Sequence, residues 1–143
     1  MSPTAHGLML TLVLLTVATV GCGGKSNLPK TAPVSGIVTY KGSPVENAQV
    51  TFHPESEGNS GHGVTDAEGR FILTTYKMKD GAILGKHSVT VQVTVQRDSP
   101  MPSQRRQAMS PIPVHYANAT TSSLEVDVLD ERNEVELHLQ DLP

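Results

Sequence analysis

The chain has 143 residues, room for one modest domain, and 2 Phe, 3 Tyr and no Trp leave few large aromatics for a broad core, which excludes a two-domain enzyme. A net charge of -3 and a pI near 6.0 give no basic footprint for nucleic acid or an anionic membrane surface. A single Cys excludes an internal disulfide framework and a thiolate zinc cage, and 12 Gly with 10 Pro punctuate the chain too often for a helical bundle.

From Leu8 to Val20 the sequence reads LMLTLVLLTVATV, 13 residues of which 10 are apolar, with no Asp, Glu, Lys or Arg before Lys25. At ~1.5 Å per residue this run covers roughly 20 Å, short of a ~30 Å hydrocarbon core, and is expected to be a signal peptide rather than a spanning helix. It ends at Gly21-Cys22, and Cys22 is the sole cysteine. The placement resembles the lipobox of bacterial lipoproteins, with Thr19 standing where that motif prefers Leu. That resemblance implies that residues 1–21 are a lipoprotein signal peptide and that Cys22 is lipidated and becomes the mature N-terminus. It also implies a protein of the bacterial cell envelope, lipid-anchored to a membrane on the periplasmic or cell-surface side. Residues 22–33 follow as the lipidated Cys and a flexible Gly- and Pro-containing tether.

Beyond the tether, over residues 34–143, period-2 alternation recurs between turn residues. Val34, Gly36, Val38 and Tyr40 share one face of a first strand, and Lys41-Gly42-Ser43-Pro44 reads as a turn. Ala48, Val50 and Phe52 then alternate with Gln49, Thr51 and His53. The segments His62–Asp66 and Arg70–Tyr76 flank Asp66-Ala67-Glu68-Gly69, which predicts a hairpin with a positive φ at Gly69. Between His87 and Gln96, Val89, Val91, Val93 and Val95 oppose Thr90, Gln92 and Thr94, the cleanest strand in the chain. Leu124–Val128 and Val135–Leu139 predict two further antiparallel strands. After Cys22 there are 13 Val against 8 Leu, a β-branched excess, and no convincing helix. About seven short strands, each with one solvated face, predict two antiparallel sheets packed as a small β-sandwich. Two stretches break the alternation, Pro54–Gly61 and Arg97–Pro111.

The run Pro33-Val34-Ser35-Gly36-Ile37-Val38-Thr39-Tyr40-Lys41-Gly42-Ser43-Pro44-Val45-Glu46-Asn47-Ala48-Gln49-Val50 resembles the opening of carboxypeptidase regulatory-like domains, V-x-G-x-V-x-x-x-G-x-P-V-x-x-A-x-V. Thr65-Asp66-Ala67-Glu68-Gly69-Arg70-Phe71 resembles their T-D-x-x-G-x-F turn, and Leu84-Gly85-Lys86-His87-Ser88-Val89-Thr90-Val91 their P-G-x-Y-x-V-x-V strand, with Leu84 in place of Pro and His87 in place of the aromatic. This resemblance implies an all-β fold, a seven-stranded antiparallel sandwich of the transthyretin (prealbumin) type. It also implies an accessory or presentation module rather than a catalyst.

Residue chemistry points the same way. Five His follow Cys22, namely His53, His62, His87, His115 and His138, and none stands in H-x-H, H-x-x-x-H or H-E-x-x-H spacing. His53, His87, His115 and His138 read as solvated positions on polar strand faces. Asp66 and Glu68 lack the D-x-[DN]-x-[DN]-G calcium run, and no G-x-S-x-G occurs, so neither metal, cofactor nor catalytic residue is assigned. Weak binding candidates lie on loops: Arg97, Arg105 and Arg106 for anionic groups, and Tyr76 and Tyr116 for stacking on sugars. The expected function is a non-enzymatic, lipid-anchored envelope protein that presents a sandwich to an extracytoplasmic protein or glycan. The alternative is a metal-binding or hydrolytic transthyretin-like protein whose site is assembled from His residues of different strands.

Overall fold

A computed structural model describes residues 27–93 and 110–141. Ten strands occur among them: β1 (Thr31–Ala32), β2 (Val34–Tyr40), β3 (Ser43–Pro44), β4 (Ala48–Pro54), β5 (Gly61–Val64), β6 (Arg70–Ile72), β7 (Ala82–Ile83), β8 (Gly85–Val93), β9 (Glu125–Val128) and β10 (Asn133–Leu139). A single 3-10 turn, Val114–Ala117, is the only helical element described. The fold is an all-β sandwich, as the alternation predicts. One sheet runs β5-β4-β8-β9, the other places β2 between β10 on one side and β3 and β6 on the other, and β1 pairs with β7 in a two-stranded ribbon.

The apolar parity of the strands sets the layers. Antiparallel β4 and β8 pair Ala48 with Val93, Val50 with Val91 and Phe52 with Val89. Ala48, Val50, Phe52, Val89 and Val91 are fully buried. Facing them from the other sheet are Val34, Val38, Phe71, Leu137 and Leu139, all buried. The Phe52 and Phe71 rings bridge the layers with centroids 6.3 Å apart. Gln92, between Val91 and Val93, faces solvent as expected.

Pairing departs from the sequence expectation in three places. Asp66–Gly69 does close a tight turn, with Gly69 N–H donating to Asp66 O at 2.9 Å and Gly69 at φ 76°. Its two arms nevertheless separate into different sheets, β5 joining β4 and β6 joining β2, and bond to each other through a reciprocal backbone pair between His62 and Thr74. The two C-terminal strands do not pair with each other either. β9 lies antiparallel to β8, whereas β10 runs parallel to β2 from Asn133 beside Val34 to Leu139 beside Tyr40. Finally, β1 lies inside the stretch read as tether, so the described sandwich begins its hydrogen bonding at Lys30, whose carbonyl accepts from Leu84 N–H at 3.2 Å.

Gly36 makes the parallel pairing possible. A Cβ there would stand 2.1 Å from the Val135 carbonyl oxygen and 2.8 Å from the Phe71 ring. Only a residue without a side chain lets β10 and β6 flank β2 this closely.

Candidate binding surface

Cys22, Arg97, Arg105 and Arg106 lie outside the described residues. Tyr76 follows β6 in a loop ordered by Asp80, whose carboxylate accepts the backbone N–H groups of Thr75 (2.7 Å), Tyr76 (3.0 Å) and Lys77 (2.8 Å). Partial burial pushes the Asp80 pKa up, but these N–H donors outweigh it and hold the group below its ordinary value. The Tyr76 hydroxyl accepts from Asn59 N–H at 3.3 Å, tying this loop to the polar loop after β4 while leaving the ring partly exposed. Tyr116 occupies a different setting from the loop position read in the sequence. It is 5% exposed within the core, and its hydroxyl donates to Gln140 O (3.2 Å) and accepts from Gln140 N–H (3.1 Å). The ring is thereby spent on packing and on fastening the end of β10.

The five histidines occupy four separate places. His87, expected on a solvated face, is 1% exposed. Its number has the parity of Val89 and Val91, so the same alternation that buries them turns it inward. Its Nε2–H donates to Ile83 O at 2.7 Å, its ring lies 5.7 Å from that of Phe52, and its Nδ1 has no partner. His115 packs against Tyr116 with ring centroids 4.0 Å apart and planes tilted by 41°, and is half-buried with Nε2 unpartnered. His138 is exposed on β10 between Thr39 Oγ1 (2.9 Å) and Glu136 (3.2 Å).

Only His53 and His62 share a patch, on the outer face of the β5-β4-β8-β9 sheet. His53 Nδ1 lies 3.3 Å from Ser60 Oγ and Nε2 lies 3.1 Å from Thr90 Oγ1, while His62 Nδ1 lies 3.2 Å from Thr51 Oγ1. Burial first, then the neighbouring His62 and His87, holds the His53 pKa below its ordinary value. A Ser60-His53-Thr90 chain gives the imidazole hydroxyl partners on both nitrogens and no carboxylate to orient it as a general base. Among the described residues, no three His, Cys, Asp or Glu side chains gather so as to hold a metal ion. Asp66, instead of facing a cation, accepts from Glu68 N–H (3.1 Å) and Arg70 N–H (2.8 Å) within its own turn.

What the described surface does offer is concave sheet geometry. An open groove of about 820 Å³ crosses the outer face of β10, β2 and β6, with Ile37, Ile72 and Val64 as its apolar patches between Arg70 and Glu136. A second cleft, about 560 Å³, runs between β9 and β10 along the margin of the sandwich. Near the end of β10, Asp141 accepts from Tyr40 Oη at 2.6 Å and pairs with Lys41 Nζ at 2.5 Å. This contact raises the Lys41 pKa and lowers that of Asp141. Both groups are exposed, so the pair adds little to stability. Neither concavity was legible beforehand, because both depend on which strands become sheet margins.

Residues 34–101 match the model of a family described as domain of unknown function DUF6795. The match begins at the first residue of β2. A crystal structure of a DUF3823 family protein from Parabacteroides merdae is similar to this chain at 16% identity and a TM-score of 0.40, over 79% of this chain and 47% of that one. The chain thus spans about half the length of that protein. No curated protein matches the sequence.

Proposed function

We propose that this protein is a lipid-anchored component of the bacterial cell envelope whose sandwich, a carboxypeptidase regulatory-like module, presents a non-catalytic binding surface to an extracytoplasmic partner. The observation that carries this reading joins sequence to fold. The apolar run ends at the sole Cys22, and the chain is already fastened to the sandwich at Thr31, nine positions later by 31 - 22. Lys30 adds an ion pair to Asp130 at 2.5 Å, and β1 adds the ladder to β7. Even fully extended, nine residues at ~3.3 Å span roughly 30 Å, so an anchor on Cys22 would hold the sandwich close to the bilayer. One acyl chain alone gives marginal, reversible binding, so stable anchoring through Cys22 would need a second membrane signal.

Replacement of Cys22 by Ser tests the anchor. Wild-type protein expressed in a bacterium is expected in the detergent phase on partitioning, and Cys22→Ser in the aqueous phase with an unchanged β-type circular dichroism spectrum. A mutant that still partitions with detergent would make residues 8–20 the anchor and remove the lipoprotein reading.

A further inference from the structure

Both sheets end on the same side of the molecule. β9 is the margin of one and β10 the margin of the other, and the 560 Å³ cleft lies between them. β10 is seven residues long and pairs on one side only among the described residues, with β2. Asn133 N–H donates to Pro33 O and Leu139 O accepts from Lys41 N–H, so the odd-numbered residues of β10 direct their backbone groups to β2. By alternation, the N–H and C=O groups of Glu134, Glu136 and His138 point away from β2, along the open margin. The cleft is bounded at one end by Asn133, whose side chain clasps Leu129 and Glu131, and β10 is fastened past its other end by Tyr116 on Gln140. What remains open is a ladder of about five residues.

The side chains around this ladder are not neutral in what they would accept. Val126, Val135 and Leu124 are half-buried against the core and give the cleft an apolar floor. Its rim carries Glu125, Asp127, Glu131, Glu134 and Glu136 against a single Arg132. A strand laid beside β10 would set alternate side chains about 5 Å from Glu134 and Glu136, and the intervening ones on the floor. We propose that the free margin of β10 is a docking site for an extended segment of a partner protein in which Lys or Arg alternates with apolar residues, added as a further strand. This rests on the presenting-module reading above and names the chemistry of its partner.

Charge selects among occupants. A second copy pairing β10 with β10 would oppose carboxylates to carboxylates, the kind of repulsion that keeps sheet margins from self-association. Residues 97–106 of the same chain carry Arg97, Arg105 and Arg106, but Pro100 and Pro102 cannot donate to a ladder and the run does not alternate. A separate basic, alternating strand meets both requirements.

The test uses the full chain in detergent solution and a fluorescent synthetic heptapeptide, Lys-Val-Arg-Val-Lys-Val-Lys, read by anisotropy. Saturable binding is expected. It should weaken at least tenfold in Glu134→Lys/Glu136→Lys, and at least tenfold when alternate peptide nitrogens are methylated to delete the ladder. Circular dichroism of the double variant should match wild type, since both positions are exposed. Absence of saturable binding, or binding indifferent to nitrogen methylation, would overturn strand addition. Tighter peptide binding after Arg97, Arg105 and Arg106 are changed to Ala would make the chain's own segment the occupant, and a wild-type dimer dissolved by the double variant would make it a second copy; either overturns the proposal. Detergent partitioning of Cys22→Ser reports on the anchor independently, so a failed peptide experiment and a failed anchor are told apart.

Discussion

Asp80 organises a loop that has no regular secondary structure, by offering one carboxylate to three consecutive backbone donors. Asp80→Ala leaves those N–H groups without a protein acceptor and should lower stability by about 2 kcal/mol at pH 7. The sign of the pH dependence follows from its depressed pKa in the fold. Its stabilisation is fully present above the unfolded value of ~3.9 and is lost as pH falls through the folded one. Urea unfolding should therefore show a gap between wild type and variant that narrows from pH 7 to pH 3; a gap of equal size at both pH values would deny the carboxylate this role. Single residues differ in how far sequence betrays them. Val91 and Gln92 are legible from alternation, and so in principle is His87, whose polar identity outweighed its inward parity. Tyr116 sits in a 3-10 turn where no period exists to mark its burial, and Asp80-Gly81 suggests a turn without showing which backbone donors its carboxylate collects.

Strands were legible as elements because alternation is a local property, while their partners were not, because pairing is decided by distant chain. Asp66–Gly69 shows the limit: its turn chemistry was sufficient to predict the turn and insufficient to predict that β5 and β6 part into two layers. β10 shows it again, since nothing in Val135, Leu137 and Leu139 announces a parallel partner about a hundred residues earlier. Gly36 is the sequence mark of that contact, readable only once β10 is seen to pass it. Gly36→Val should push β10 from β2 and cost about 2 kcal/mol or more. Hydrogen exchange should then lose protection at Leu137 and Leu139 before the β4 and β8 ladder changes. Uniform loss across both sheets would mean that the glycine serves the fold as a whole and not this one pairing.

At the scale of the molecule, the two-layer arrangement rests on opposite fates for neighbouring residues. Val91 is 0% exposed and pairs with Val50, while Gln92 beside it faces water. Val91→Asp would place an unpaired carboxylate in the core at a cost of several kcal/mol, comparable with the ~5 to 15 kcal/mol of a whole domain. Gln92→Asp should stay within about 0.5 kcal/mol of wild type. Soluble yield and urea midpoints of the two variants measure the difference, and equal midpoints would sink the layer assignment. The sandwich as a class was readable from composition and period; the cleft between its margins emerges only from the order in which strands join the sheets.

That order also governs assembly in time. β2 cannot complete its sheet until β10 arrives, and their partners Val34 and Asn133 are separated by 133 - 34 = 99 positions. Closing a loop of that length costs about 4 kcal/mol of chain entropy before the first ladder bond repays any of it. With synthesis at ~5–20 residues per second, β2 spends roughly 5 to 20 s outside the ribosome without its neighbour. For the exported chain proposed above, the late strand would work as a delay, leaving the sandwich unlocked and threadable until β10 has been made.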